Sequence, residues 1–167
     1  VELSPLVQAA GESTLYSLTG GRVSRVDNGS SSLVGGELGT GGNVQSAEIT
    51  NDGKWVGVFK DGDGAVLRGG SYGAGSREMQ RAQTFTRPSF EAHGAAVWTV
   101  ADGTRILRTV QSGATGELTT EQIAAELPDG VRGNISVLRL SRSGARVVMV
   151  IDGHLYTGIV ERRAPGE

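Results

Sequence analysis

The chain has 167 residues, 27 of them glycine and none cysteine, with 16 basic residues against 18 acidic ones. A formal net charge of -2 argues against a nucleic-acid binder, whose footprint is a strongly basic surface. The absence of cysteine excludes disulfides, thiolate metal sites and a Cys nucleophile within these residues. Glycine and proline together make about 19 % of the chain, short of the roughly 25–30 % of unstructured low-complexity sequences. The glycines also lack the period of three of collagen. With 37 % hydrophobic residues the chain can bury a core of single-domain size. No apolar stretch approaches the ~18 residues of a membrane span, and the opening residues do not read as a signal peptide.

The glycines carry a repeat. Gly11, Gly53, Gly94 and Gly144 are each followed nine residues later by another glycine, Gly20, Gly62, Gly103 and Gly153. Asp61, Asp102 and Asp152 precede three of those second glycines, the composition of a hairpin turn. Four residues before each first glycine stands an apolar residue: Val7, Ile49, Phe90 and Leu140. The unit therefore reads strand, Gly turn, strand, Asp-Gly turn, strand, with a fourth segment in the spacer.

In chain order, the middle strands centre on Thr14–Tyr16, Trp55–Phe59, Val97–Val100 and Val147–Val150, all rich in strand formers. Third strands are expected at Val66–Arg68, Ile106–Val110 and Leu155–Val160. The last two middle strands are apolar on both faces, where a half-exposed strand would alternate. Such strands lie between two layers. The first glycines are spaced 42, 41 and 50 residues apart. Turns every 8–12 residues, no helical period and up to four strands per ~42 residues match one blade of a β-propeller. The fold class is therefore all-β: about four blades of four-stranded antiparallel sheet, with units at 11–20, 53–62, 94–103 and 144–153. A β-sandwich or an irregular all-β domain with accidental spacing is the competing reading. The spacers 30–42 and 69–84 read as loops. In 119–127, Thr119 and Gln122 suit a capping box ahead of Pro128, so a short helix and a polar loop compete there. Trp98 reads as core, and Trp55 as core or rim.

Chemistry is sparse. His93 and His154 lie beside turn glycines and read as solvent-facing turn residues, with no HxH or HExxH spacing. Asp61 and Asp63 begin a calcium-loop pattern, but Ala65 occupies the third ligand position and no closing Glu follows. The run Gly35–Gly42 lacks both GxGxxG spacing and a Lys-Ser/Thr, and no serine sits in a GxSxG elbow. No catalytic, cofactor or metal site is expected. Arginines are more suggestive, because Arg is enriched at interface hot spots. Arg68, Tyr72, Arg77, Met79, Arg81 and Arg87, in and around the 69–84 spacer, are the candidate protein-docking residues, with a solvated basic face as the bland alternative.

Thr50–Val58, with Asp52-Gly53-Lys54, resembles the S-x-D-G-K turn of TolB-type propeller repeats. Ile135–Val150, and with it Val97–Gly103, resembles the propeller of the LpqB family of actinobacterial lipoproteins. Ser143, and Ala92-His93 in the third unit, depart from the usual Asp before the turn glycine. The resemblance implies a non-catalytic, extracytoplasmic interaction module of a lipid-anchored protein accessory to a two-component signalling system. The implied partner is the extracellular domain of a sensor histidine kinase. It also implies that the lipid-bearing Cys, a GerMN-like region and further blades lie outside these residues, and it carries no catalytic motif. Uncovered blade faces would then pair with another chain, or the four blades would close on themselves. Two alternatives stay open: a small-ligand or sugar-binding sensor using polar groups at the channel mouth, and a metal-dependent lactonase or hydrolase.

Overall fold

The computed structural model describes residues 6–8, 15–19, 22–27, 30–33, 44–50, 54–71, 76–91, 94–112 and 117–161. Among them are fifteen β-strands and no α-helix. The strands are β1 (Leu6–Gln8), β2 (Leu15–Thr19), β3 (Arg22–Asp27), β4 (Ser30–Leu33), β5 (Val44–Ile49), β6 (Lys54–Asp61), β7 (Gly64–Ser71) and β8 (Ser76–Ala82). They continue with β9 (Ser89–Glu91), β10 (Ala96–Ala101), β11 (Arg105–Gln111), β12 (Leu118–Ile123), β13 (Ile135–Leu140), β14 (Arg146–Ile151) and β15 (His154–Ile159). Each sheet takes its strands in chain order: β1 to β4, β5 to β8, β9 to β12, and β13 to β15. Every pairing is antiparallel. These four meander sheets are the expected blades, the fourth with three strands. β1 lies against β5, and β9 against β13, so the first strand of a sheet is its innermost.

The middle strands are buried on both faces, as their double-sided apolar character requires. All six residues of β10 are buried. Trp98 and Val100 face the fourth blade, where they pack with Ile106, Ile135, Leu138, Met149 and Ile151. Val97, on the other side of the same strand, packs against Val56, Val58, Ala65 and Leu67 of the second blade. Trp55 is core, only 3 % exposed, and its ring meets Phe59 edge-on.

Three segments differ from the sequence expectation. The 69–84 spacer is mostly strand: β7 runs on to Ser71 and β8 begins at Ser76. Gly69 and Gly70 sit inside a strand, paired with β6 and β8; a Cβ on Gly69 would lie 3.0 Å from Met79 Sδ and 3.2 Å from the Trp55 carbonyl oxygen. Residues 30–33 of the other spacer form β4, and 34–42 lie outside the described residues. Within 119–127, residues up to Ile123 belong to β12, neither helix nor loop. Tertiary pairing overrides the local capping signal. The Thr109 and Thr120 hydroxyls are hydrogen-bonded at 2.8 Å, and Arg108 bonds Glu121. The long interval before the fourth unit instead reflects the connection 124–134, against 83–88 between the preceding blades.

The Asp-Gly turns hold as predicted in two blades. Asp102 and Gly103, and Asp152 and Gly153, all have positive φ, the conformation of the primed hairpin turns. In the second blade Asp61 still pairs within β6, and Gly62-Asp63 make the turn. The turn aspartates also fasten the blade connections. Asp102 Oδ1 accepts from the backbone N–H groups of Gln83 and Thr84, and Asp152 Oδ1 from that of Asn134. A hydrogen bond from Arg105, with those backbone bonds, holds the Asp102 carboxyl below the usual aspartate range. A depressed folded value adds stability above the unfolded pKa of about 3.9, and that contribution disappears as pH falls through the folded value. We expect the urea midpoint to drop on acidification below about pH 4, and Asp102→Asn to make that drop shallower. An unchanged pH profile in Asp102→Asn contradicts the role of this carboxylate.

Candidate functional site

The six docking candidates do not form one cluster. Arg68 and Arg81 lie on one face of the second blade. Arg68 stacks over the Phe59 ring, 5.7 Å from its centroid, while Arg81 bonds Glu78 at 2.7 Å and pairs with Asp61. The Arg81 hydrogen bond holds the Glu78 carboxyl low. This charged patch is exposed and largely self-compensated, which makes it a weak anchor. Arg77 and Met79 lie on the opposite face of β8. Arg87 stands just before β9 on the inner side of the third blade. Tyr72 and His93 lie outside the described residues, and His154 is an exposed first residue of β15.

Arg77 and Met79 border a groove of about 670 Å³ between the second and third blades. Met79, Phe90, Val97 and Leu118 give it an apolar lining, and among the described residues Lys54 and Arg77 are the charged ones that line it. It exists because large side chains run out at this end of the inter-blade core. Gly69, Gly70, Gly94, Ala95 and Ala96 stand where the deeper layers carry Leu and Val.

A second arrangement lies on the inner strands and was not singled out from the sequence. Glu48, Ser89 and Arg139 occupy the same repeat position, five residues before Gly53, Gly94 and Gly144. In the first two, the side chain reaches the next blade and accepts a backbone N–H. Glu48 Oε1 accepts from Phe90 N at 3.1 Å, and Ser89 Oγ from Leu140 N at 3.1 Å. The two donors, Phe90 and Leu140, again share one repeat position. At the third position Arg139 cannot accept, so it turns back. Its Nη1 donates to Glu48 Oε2 at 3.0 Å and to the Pro88 carbonyl at 2.6 Å. One carboxylate thus joins the inner strands of three blades. Burial pushes the Arg139 guanidinium below its usual value, and the nearby Arg87 charge pushes it the same way against the pull of Glu48. Arg87 Nε is buried without a hydrogen-bond partner among the described residues.

The third blade has an internal counterpart. Glu91, 3 % exposed, accepts from Trp98 Nε1 at 2.7 Å and Arg108 Nε at 2.9 Å. Arg108 extends the chain to Glu121 at 2.8 Å. This network is polar filling between the third and fourth blades. Among the described residues no group of three or more His, Cys, Asp or Glu side chains is placed to hold a metal ion. No helix there is long and apolar enough to cross a membrane.

A family model described as the lipoprotein LpqB beta-propeller domain matches residues 21–167. Relatives named Lipoprotein LpqB share 32 % identity in Nocardia farcinica, over 98 % of this chain, and 30 % in Corynebacterium diphtheriae, over 99 % of it. The chain spans 29 % of the length of each of these two relatives. Among solved structures, the Cps50 (Swd1) beta-propeller domain of Myceliophteria thermophila superposes with a TM-score of 0.61 at 17 % identity, covering 97 % of this chain and 52 % of that one. YCF48 bound to D1 peptide gives a TM-score of 0.63 at 13 % identity, covering 95 % and 51 %. At such identities the likeness concerns the fold alone.

Proposed function

The chain belongs to the LpqB lipoprotein β-propeller family, and on that premise we propose that it is a non-catalytic interaction module that binds the extracellular domain of a sensor histidine kinase. In this reading the protein works outside the cytoplasmic membrane, held there by a lipid anchor elsewhere in the full-length protein. The groove between the second and third blades carries the reading. It combines an apolar lining with the basic residues Lys54 and Arg77, which suits an extended acidic segment of a protein partner.

Val137, Leu155 and Ile159 are exposed large hydrophobics, the last at 79 %, on β13 and β15 of the fourth blade. In our reading further sheet of a larger ring covers them, since an uncovered apolar face of this kind invites association.

The test is a titration of the intact protein with the sensor's extracellular domain. Saturable binding is expected, weakened about tenfold by Arg77→Glu, equivalent to about 1.4 kcal/mol. Arg77 is exposed on β8, so the charge reversal should leave the fold intact. Absence of binding by the folded, intact protein overturns the proposal.

A further inference from the structure

We infer that Arg87 and Arg139, at the inner edge of the third and fourth blades, form a binding site for a carboxylate group. This inference is independent of the kinase contact and gives the small-ligand reading a definite place and chemistry.

The position is set by the inter-blade stitch. Glu48 and Ser89 each offer an acceptor to the following blade, whereas the equivalent Arg139 offers donors. The polarity of the inner edge is therefore inverted at the fourth blade, and whatever meets it there must bring an acceptor. Arg139 commits only Nη1, to Glu48 and the Pro88 carbonyl; its Nε and Nη2 make no hydrogen bond among the described residues. Arg87 is fixed beside it, because the Pro88 carbonyl that Arg139 grips belongs to the next residue along the chain. Arg87 Nε is buried and unpartnered among the described residues. A buried donor without an acceptor is destabilising, more so when charged, so its retention next to a second guanidinium points to an anion that completes it.

Charge balance selects the ligand. Two guanidiniums and Glu48 leave one uncompensated positive charge, which a monoanionic carboxylate neutralises and a phosphate dianion overshoots. Guanidiniums bind carboxylates in a planar, forked geometry. The site is reachable, since the Arg139 and Glu48 side chains are 32 % and 26 % exposed.

The probes are acetate, N-acetylglycine and inorganic phosphate, titrated into the intact protein in chloride buffer with the thermal unfolding midpoint as readout. A ligand that binds only the folded state raises the midpoint saturably. Either carboxylate is expected to do so in the parent, and Arg87→Met to weaken the apparent affinity at least about tenfold. N-acetylglycine acting at lower concentration than acetate would assign the carboxylate to a peptide end. Without probe, Arg87→Met should unfold at or above the parent midpoint, because it removes an unpaired, repelled charge. Arg87→Lys keeps the charge and should retain part of the response. The inference is overturned by an equal response of the parent and Arg87→Met, by protection of the parent by phosphate and neither carboxylate, or by Arg87→Lys behaving as Arg87→Met.

Discussion

Replacing Trp98 by alanine should destabilise the protein by about 3–5 kcal/mol, enough to lower the urea midpoint sharply. Trp98 fills the space between the third and fourth blades, packed with Leu138, Met149 and Ile151. Its removal leaves a cavity that neighbouring strands, fixed by ladders on both sides, cannot collapse into. It also strips Glu91, 3 % exposed, of its indole donor. Trp98→Phe separates the two effects. The ring is largely kept and the indole N–H lost, so about 1–2 kcal/mol is expected for the unmade hydrogen bond. Equal losses in the two variants would show that the polar network, and not the packing, holds these blades together. A loss below about 1 kcal/mol in Trp98→Ala would contradict the inter-blade core altogether.

Glu48→Ala is the second large loss, about 2–3 kcal/mol. Removing one partner of a buried pair costs about 3–5 kcal/mol. The value here is reduced because Glu48 and Arg139 are each about a quarter to a third exposed. The change leaves Phe90 N without its acceptor and adds a second unpaired guanidinium beside Arg87. Glu48→Gln keeps an acceptor for the N–H and should cost about half as much. A double-mutant cycle with Arg139→Met isolates the ion pair. Coupling near zero would mean that the inner strands are joined by backbone packing alone.

The repeat made the fold legible. The nine-residue glycine pairs placed all four middle strands, and the apolar residues before each first glycine placed the inner ones. Local signals failed where pairing outweighed them. Thr119 and Gln122 look like a helix cap, yet β11 presents an open edge that takes the segment as β12. Gly69 and Gly70 look like loop residues, yet they continue β7 because β6 and β8 pair with them from either side. The docking candidates are neighbours in sequence, in and around 69–84. A bulge in β8, where Gln80 and Glu78 pair with successive residues of β7, breaks the alternation and puts Arg77 and Met79 on one face and Arg81 on the other. The inner-strand stitch had a readable signal that composition alone hides. Glu48, Ser89 and Arg139 are polar residues at one repeat position inside strands that are otherwise largely apolar. What could not be read is that Arg139 reaches back past a whole blade to Glu48, since the reach depends on the curvature that brings three inner strands together.

Amide hydrogen exchange on the intact protein, alone and saturated with the sensor's extracellular domain, tests the proposed role most directly. Binding in the groove should slow exchange at the end of β7, in β8, at the end of β11 and in β12, while β6 and β10 stay slow in both states. Unchanged exchange along these strands at saturating partner would contradict it.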